Sequence, residues 1–246
     1  MRVNVLDEDP ELSELLGGRR NEAARAASNS ALLHIPIGGW NAPEDSPREG
    51  QGGYGLLILD GLVVRRVGFD GRWGAELLGP GDLLRPWEGD IDTASGAMPF
   101  ETHWRVMNPL RIAVLDLSWA ARMSGYPQVG GELTGRALKR ARRLVMSMAI
   151  VQVPRLDDRL WMIFWELAER WGRVHRDGVH IELPLTHELL SHLAAARRPS
   201  VSGALTRLSE SGRVLRVGRS WVLIGEPPEP PRAEGAQQPE VAAASD

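Results

Sequence analysis

The chain has no cysteine among its 246 residues. Structural disulfides, thiolate-held iron–sulfur clusters, cysteine zinc sites and thiol redox switches are thereby excluded. It also lacks any apolar run near the ~20 residues that a membrane-spanning helix needs. The first residues, MRVNVLDEDPELSELLGG, are acidic and have no long apolar core, so they do not read as a secretory signal. A soluble, cytoplasmic protein with no membrane partner is expected. Lysine is nearly missing: 28 of the 29 basic residues are arginine, which reflects genome composition more than function. What is present, 43% hydrophobic and 25% charged residues, suits a globular chain long enough for two modest domains.

The small net charge of −3 hides a segregation. Residues 1–127 carry 12 arginines and 18 carboxylates, a net of −6. Residues 128–225 carry 16 basic and 9 acidic groups, a net of +7, and residues 226–246 return to −4. A basic second half suits a polyanionic partner.

Five segments follow from the pattern. Residues 1–29 are polar and Ala/Arg-rich and read as a mobile segment with one short helix near Asp9–Leu16. Residues 30–127 read as a β-roll. After a Pro/Gly/acid loop at 40–53, two Asp-Gly pairs, Asp60–Gly61 and Asp70–Gly71, lie beside β-type apolar residues and predict tight hairpins. Gly79-Pro80-Gly81-Asp82 predicts a third turn. Arg111–Leu117 predicts a strand with Ile112, Val114 and Leu117 inward. Residues 128–153 then switch to helical period: Leu133, Ala137, Ala141, Leu144, Met148 and Val151 recur at spacings of four and three, a coiled-coil-type seam suited to dimerisation. Residues 154–225 hold a second helix with a stripe of Leu156, Leu160, Phe164, Leu167 and Trp171, a short strand at Val179–Leu183, and a helix-turn-helix with a wing. Residues 226–246 are Pro/Ala/acid-rich and predict disorder.

The chemistry is concentrated in Leu185–Gly225. Thr186 is a good N-cap, since its hydroxyl can accept from a free amide of the first turn. Leu189, Leu190 and Leu193 face inward, and Ala194–Ala196 make a close turn. Pro199 is tolerated in the opening turn of the next helix, where its missing N–H has no helical partner. That helix buries Val201, Ala204, Leu205 and Leu208. Its opposite face carries Pro199, Ser202, Gly203, Thr206 and Glu210, flanked by Arg197, Arg198, Ser200 and Arg207. Hydroxyls and guanidinium groups on such a face can bond phosphates and base edges in a major groove. Arg213–Arg216 and Ser220–Ile224 predict a hairpin whose Arg216 and Arg219 reach the DNA backbone.

Residues 54–225, and LTHELLSHLAAARRPSVSGALTRLSESGRV above all, resemble the Crp/Fnr superfamily of bacterial transcription regulators. The resemblance implies an α+β chain: an N-terminal β-roll (a cupin-like double-stranded barrel of the cyclic-nucleotide-binding type), a long dimerisation helix and a C-terminal winged helix-turn-helix. It also implies a homodimer on a near-palindromic double-stranded DNA operator, with RNA polymerase as partner of an activator. Arg198 falls on the family's base-contacting arginine, and Thr186 and His187 fall where members touch phosphates. The family's neighbouring glutamate is Pro199 here, and a second arginine is Gly203, so the operator should differ.

In the sensor half, Gly81 and Asp82 match the family's Gly-Asp. The expected Gly-Glu falls at Arg85-Pro86, and the expected Arg-Ser/Thr-Ala falls at Glu101-Thr102-His103. Glu101 facing a cyclic phosphate at ~4 Å costs about 4 kcal/mol at an effective dielectric of ~20. Either an effector other than cyclic AMP, with the site rebuilt on Arg85 or Arg105, or a roll that has lost its ligand is therefore expected, and no cofactor. The alternative is a ligand- or partner-binding protein of the same fold without DNA function. The six histidines are too scattered for a metal-dependent enzyme, nothing singles out a haem ligand among His34 and His103, and no nucleophile elbow is present. Neither a catalytic nor a metal site is expected. Trp73, Trp87 and Trp104 lie in the roll, as core anchors before a ligand pocket.

Overall fold

The computed structural model describes residues 1–46, 52–86 and 100–228. The expected tail lies outside them from residue 229 on, as does Trp87.

The first half is an antiparallel sheet in the order β1 (Arg2–Asn4), β2 (Asn29–Ile35), β7 (Glu101–Leu115), β4 (Gly55–Phe69), β5 (Arg72–Leu78). β3 (Gly38–Trp40) pairs with β7 and β6 (Leu83–Leu84) with β4. β4 and β7 are 15 residues each and pair along most of their length. Asp70–Gly71 makes the β4–β5 hairpin, with φ positive at both residues (51° and 71°), as a tight two-residue turn requires. Asp60–Gly61 does not make a hairpin. It is a bulge inside β4, with register shifts against β7 from Ile58 to Val63. Gly61 (φ +97°) is needed there, since a Cβ would sit 2.2 Å from the Pro109 carbonyl oxygen. The extra residue bends the strand, so its first half fills the inner core and its second half faces the C-terminal domain.

The strand expected at Arg111–Leu117 also ends differently. Asp116 caps a new helix, α5 (Leu117–Met123; α1–α4 are placed below), by accepting from Trp119 N at 2.6 Å. Leu117 is 63% exposed rather than inward, because the cap at Asp116, one residue earlier, has switched the period. Ile112 and Val114 are buried as expected, and so are Ala113 and Leu115 on the other face.

The expectation of a mobile segment over residues 1–29 is overturned. α1 (Val5–Glu8), α2 (Pro10–Glu14) and α3 (Gly18–Ala27) follow β1. Val5, Leu6, Leu12, Leu16 and Ala24 are buried against Trp119 and Val129. A few apolar side chains, each in a deep contact, outweigh the polar composition. α4 (Ala42–Asp45) is a single turn after β3.

α6 (Pro127–Ile150) is the long helix. Val153-Pro154 separates it from α7 (Leu156–Trp171), which buries Leu160, Trp161, Ile163, Phe164 and Leu167. Then come β8 (Gly172–His175), β9 (Gly178–Ile181), α8 (His187–Leu193), α9 (Arg198–Glu210), β10 (Val214–Val217) and β11 (Ser220–Leu223). The wing is therefore not an isolated hairpin. It is half of a four-stranded sheet, β10-β11-β9-β8, which the short strand expected at Val179–Leu183 completes with β8. Leu62, Val64 and Leu77 of the roll share one core with Leu160, Phe164, Leu189, Leu205 and Trp221.

Candidate nucleic-acid interface

The α8–α9 pair is held from inside. The Thr186 hydroxyl accepts from Leu189 N (3.1 Å) and starts α8. Ala194 is buried, and Ala195 adopts φ +46°, the one left-handed residue of the turn. Ala196 N donates back to Ser191 O (2.9 Å). Arg159 of α7, not singled out by its sequence pattern, donates to Ala194 O (2.7 Å) and to Val153 O (2.7 and 3.1 Å), tying this turn to the α6–α7 connection. Val201, Ala204, Leu205 and Leu208 of α9 are buried as expected.

The other side of α9 is open. Arg197, Arg198, Pro199, Ser200 and Thr206 are exposed, and Ser202 and Gly203 are half-buried. Ser202 Oγ donates to Arg198 O (3.2 Å) and lies 2.8 Å from His187 Nδ1. Thr206 Oγ1 donates to Ser202 O (3.1 Å). Both hydroxyls keep acceptor capacity toward solvent. A cleft of about 500 Å³ separates this face from the wing, with His187, Ser202, Thr206, Arg216 and Trp221 among its walls. The Arg216 guanidinium lies 4.7 Å from the Trp221 ring centroid, a cation–π contact that orients it. Arg219 is exposed at the wing turn beside Gly218 (φ +58°).

Arg207 departs from its expected place on this surface. It forks onto Asp157 of α7 (2.8 and 2.6 Å), and that bond holds the Asp157 carboxyl below its ordinary pKa. Asp157, in the first turn of α7, is therefore an anchor for α9.

The six residues expected in an effector pocket do not converge. Asp82, held in the 79–82 turn with Gly81 at φ +86°, is buried. It accepts from Arg143 of α6 (2.6 Å), Arg170 of α7 (2.6 Å) and Gly79 N (2.9 Å). It clamps two helices to the roll. Glu101 and Thr102 pair with Gly68 and Val67 at the far end of β7, and Glu101 lies 3.6 Å from His103. Arg105 lines a separate cleft against α8. Only Arg85 lines the cleft of about 660 Å³ between the roll and α6, together with Tyr54, Arg65, Leu133, Thr134 and Arg140. Distance along β7 separates what a linear alignment had placed together. Trp104 packs edge-on against Trp40 (5.7 Å) and Trp73 against His103 (4.9 Å), so these two do not line one pocket.

α6 shows neighbouring faces of different kinds. Arg136 is buried on Asp9 and Glu11, Arg140 bonds Glu76, and Arg143 bonds Asp82. Of the expected seam, Leu133 is instead buried against the N-terminal helices. Ala137, Ala141, Leu144 and Met148 are exposed, with Leu138 and Val145 beside them, and Leu144, Met148 and Val151 line a cleft with Val67, Ala75 and Glu76 of the roll. Among the described residues no helix is long and apolar enough to cross a membrane.

Comparison with known proteins adds a family model described as a Crp-like helix-turn-helix domain, which matches residues 158–228. No curated protein matches the chain. Its structure is similar to that of a cyclic nucleotide-binding domain containing protein from Listeria monocytogenes EGD-e (16% identity, 78% of this chain and 88% of that one, TM-score 0.62). It is also similar to a CooA mutant from Carboxydothermus hydrogenoformans (15%, 79% and 83%, TM-score 0.60). The c-di-GMP responsive global regulator CLP of Xanthomonas campestris matches at 16% identity over 89% of this chain and all of its own (TM-score 0.55).

Proposed function

We propose that this chain, which carries a Crp-like helix-turn-helix domain in the fold of the Crp/Fnr superfamily, is a sequence-specific DNA-binding transcription regulator and not an enzyme. It acts in the cytoplasm as a homodimer on a near-palindromic operator, and RNA polymerase is a partner where it activates. The observation that carries the reading is the two-sided α9. One side is sealed into the core and the other presents Arg198, Ser200, Ser202 and Thr206 to solvent, which is the division of labour a major-groove helix requires. Arg198 reads a base edge, Thr186 and His187 take phosphates, and Arg216 and Arg219 take phosphates from the wing. Two copies joined through the exposed α6 seam set the half-sites about one helical turn apart.

A small ligand other than cyclic AMP biases this dimer from the roll–α6 cleft. Its Tyr54, Arg85 and Thr134 suit a polar molecule. Such a ligand would act by shifting how α6 presents the two α9 helices.

The test is selection of bound duplexes from random DNA. A single enriched, near-palindromic sequence is expected, and no enrichment at any salt sinks the reading. Arg198→Ala should then lose about 1–3 kcal/mol on that sequence and relax it at one position per half-site. Arg219→Ala should weaken all duplexes alike and make the salt dependence shallower.

A further inference from the structure

The solvent-open surface of α9 does not stop at the winged unit. It passes to α8 through the His187–Ser202 contact. The next residue, Thr186, lines a cleft of about 250 Å³ whose far wall belongs to the roll. That wall carries Arg66 of β4 and Arg105 of β7, above a floor of Val64, Met107 and Leu189.

The register explains why the two arginines point the same way. Val64 pairs with Arg105 and Arg66 with His103, so alternate residues of both strands share one face. Val64 of that face enters the core shared with α7–α9. Packed side chains, not a loop, therefore fix Arg66 and Arg105 beside Thr186. One carboxylate lies in the cleft, Glu188, 3.6 Å from Arg66 with its side chain 65% exposed. At that distance and exposure the pair is weak and open to replacement. Burial, and then the Arg66 charge, hold the His192 imidazole on the same wall below its ordinary pKa.

We propose that this face of the roll is part of the DNA interface, with Arg66 and Arg105 contacting a backbone phosphate that flanks the half-site next to the one Thr186 reaches. The inference rests on the DNA-binding reading above and extends it to a domain otherwise assigned only to sensing. The cleft is large enough for a phosphate group, and two guanidinium forks are the donors that match its oxygens. Such contacts position the protein and carry no base preference.

The test uses the full chain and the selected operator, with affinity measured across salt concentrations. Arg66→Gln with Arg105→Gln should lower the slope of log affinity against log salt by ~0.9 and leave the selected sequence unchanged. The loss should vanish on duplexes trimmed to the half-sites. Arg105→Gln alone, at an exposed position, should lower the slope by a smaller amount, below ~0.9, and keeps the test valid if the double variant folds poorly. A parent slope in both variants, while Arg198→Ala still relaxes the selected sequence, overturns this inference and leaves the regulator reading standing. If no variant, Arg198→Ala included, alters binding, both readings fall.

Discussion

Residues nine positions apart can look alike in sequence and serve opposite ends of the site. Arg198 and Arg207 both flank the outer face of α9 in a helical projection, yet Arg198 is open to solvent and Arg207 is held by Asp157. Arg207→Ala should therefore loosen α9 on α7 and weaken all duplexes alike, without changing which sequence is selected. A change of selected base in that variant would return Arg207 to the reading face. The turn residue Ala195 offers a second check. Its left-handed φ of 46° costs a β-branched residue far more than glycine. Ala195→Val should lose about 1–3 kcal/mol in urea unfolding, and Ala195→Gly should stay at or above the parent. Equal stabilities would mean the turn has another geometry. At this scale the sequence discloses caps and turns, because their signals are local: Thr186 and Asp70–Gly71 sit where their chemistry says. It does not disclose partners fifty or more residues away, such as Asp157 for Arg207 or Arg170 for Asp82, since nothing in a linear string marks a long-range ion pair. Asp60–Gly61 shows the limit of a local signal, because a positive φ serves a bulge as well as a hairpin.

Among the elements, α6 and α7 are legible in outline because their apolar periods are long, and α8–α9 because cap, turn and stripe agree. The N-terminal helices are not, since their buried residues are sparse among alanines and arginines, and β8 is too short to leave a pattern. The joint between α6, α7 and the roll was equally hidden, and it rests on one carboxylate. Asp82 is buried between Arg143 and Arg170, and removing one member of such a cluster leaves the others uncompensated. Asp82→Ala should lose about 3 kcal/mol of stability by urea unfolding; a loss under about 1 kcal/mol would show the arginines finding water instead. Glu166 of α7 sits beside the same arginines, and burial raises its pKa above the ordinary carboxylate value despite Arg170 and Arg143. The folded state thus holds this proton more tightly than the unfolded one. The associated stability is complete below the unfolded pKa and is lost as pH rises through the folded one. Glu166→Gln should raise Tm at neutral pH and lose that advantage in the acid range below the ordinary carboxylate pKa of 4.5. An advantage that persists unchanged at low pH would point to a packing effect rather than a proton.

For the molecule as a whole, the arginine row and the apolar seam of α6 carry the proposal of a dimer. The row spends its charge on Asp9, Glu11, Glu76 and Asp82 of the same chain. It therefore fixes the helix's rotation and leaves Ala137, Ala141, Leu144 and Met148 exposed along the edge of the roll. Spacings of four, three and four match the heptad seam of a left-handed helix pair, and exposed Leu138, Val145 and Met148 (60%, 65% and 68%) extend it beyond what a monomer leaves open without cause. The sequence period was sufficient to find this seam. It could not say that Leu133 is buried against the N-terminal helices or that Leu144 and Met148 border a cleft with the roll, because that depends on where the arginines find partners. With Leu144→Glu and Met148→Glu the chain should keep its fold, since neither side chain is buried, while light scattering falls from twice the chain mass to one. Each half-site would then be bound separately, and affinity for the full operator should drop by at least ~10²-fold as the intramolecular second contact is lost. Binding to a single half-site should be nearly unchanged. If the double variant remains dimeric, or holds the full operator as tightly as the parent, the seam is not the dimer contact, and the spacing of the two α9 helices must be set by another surface.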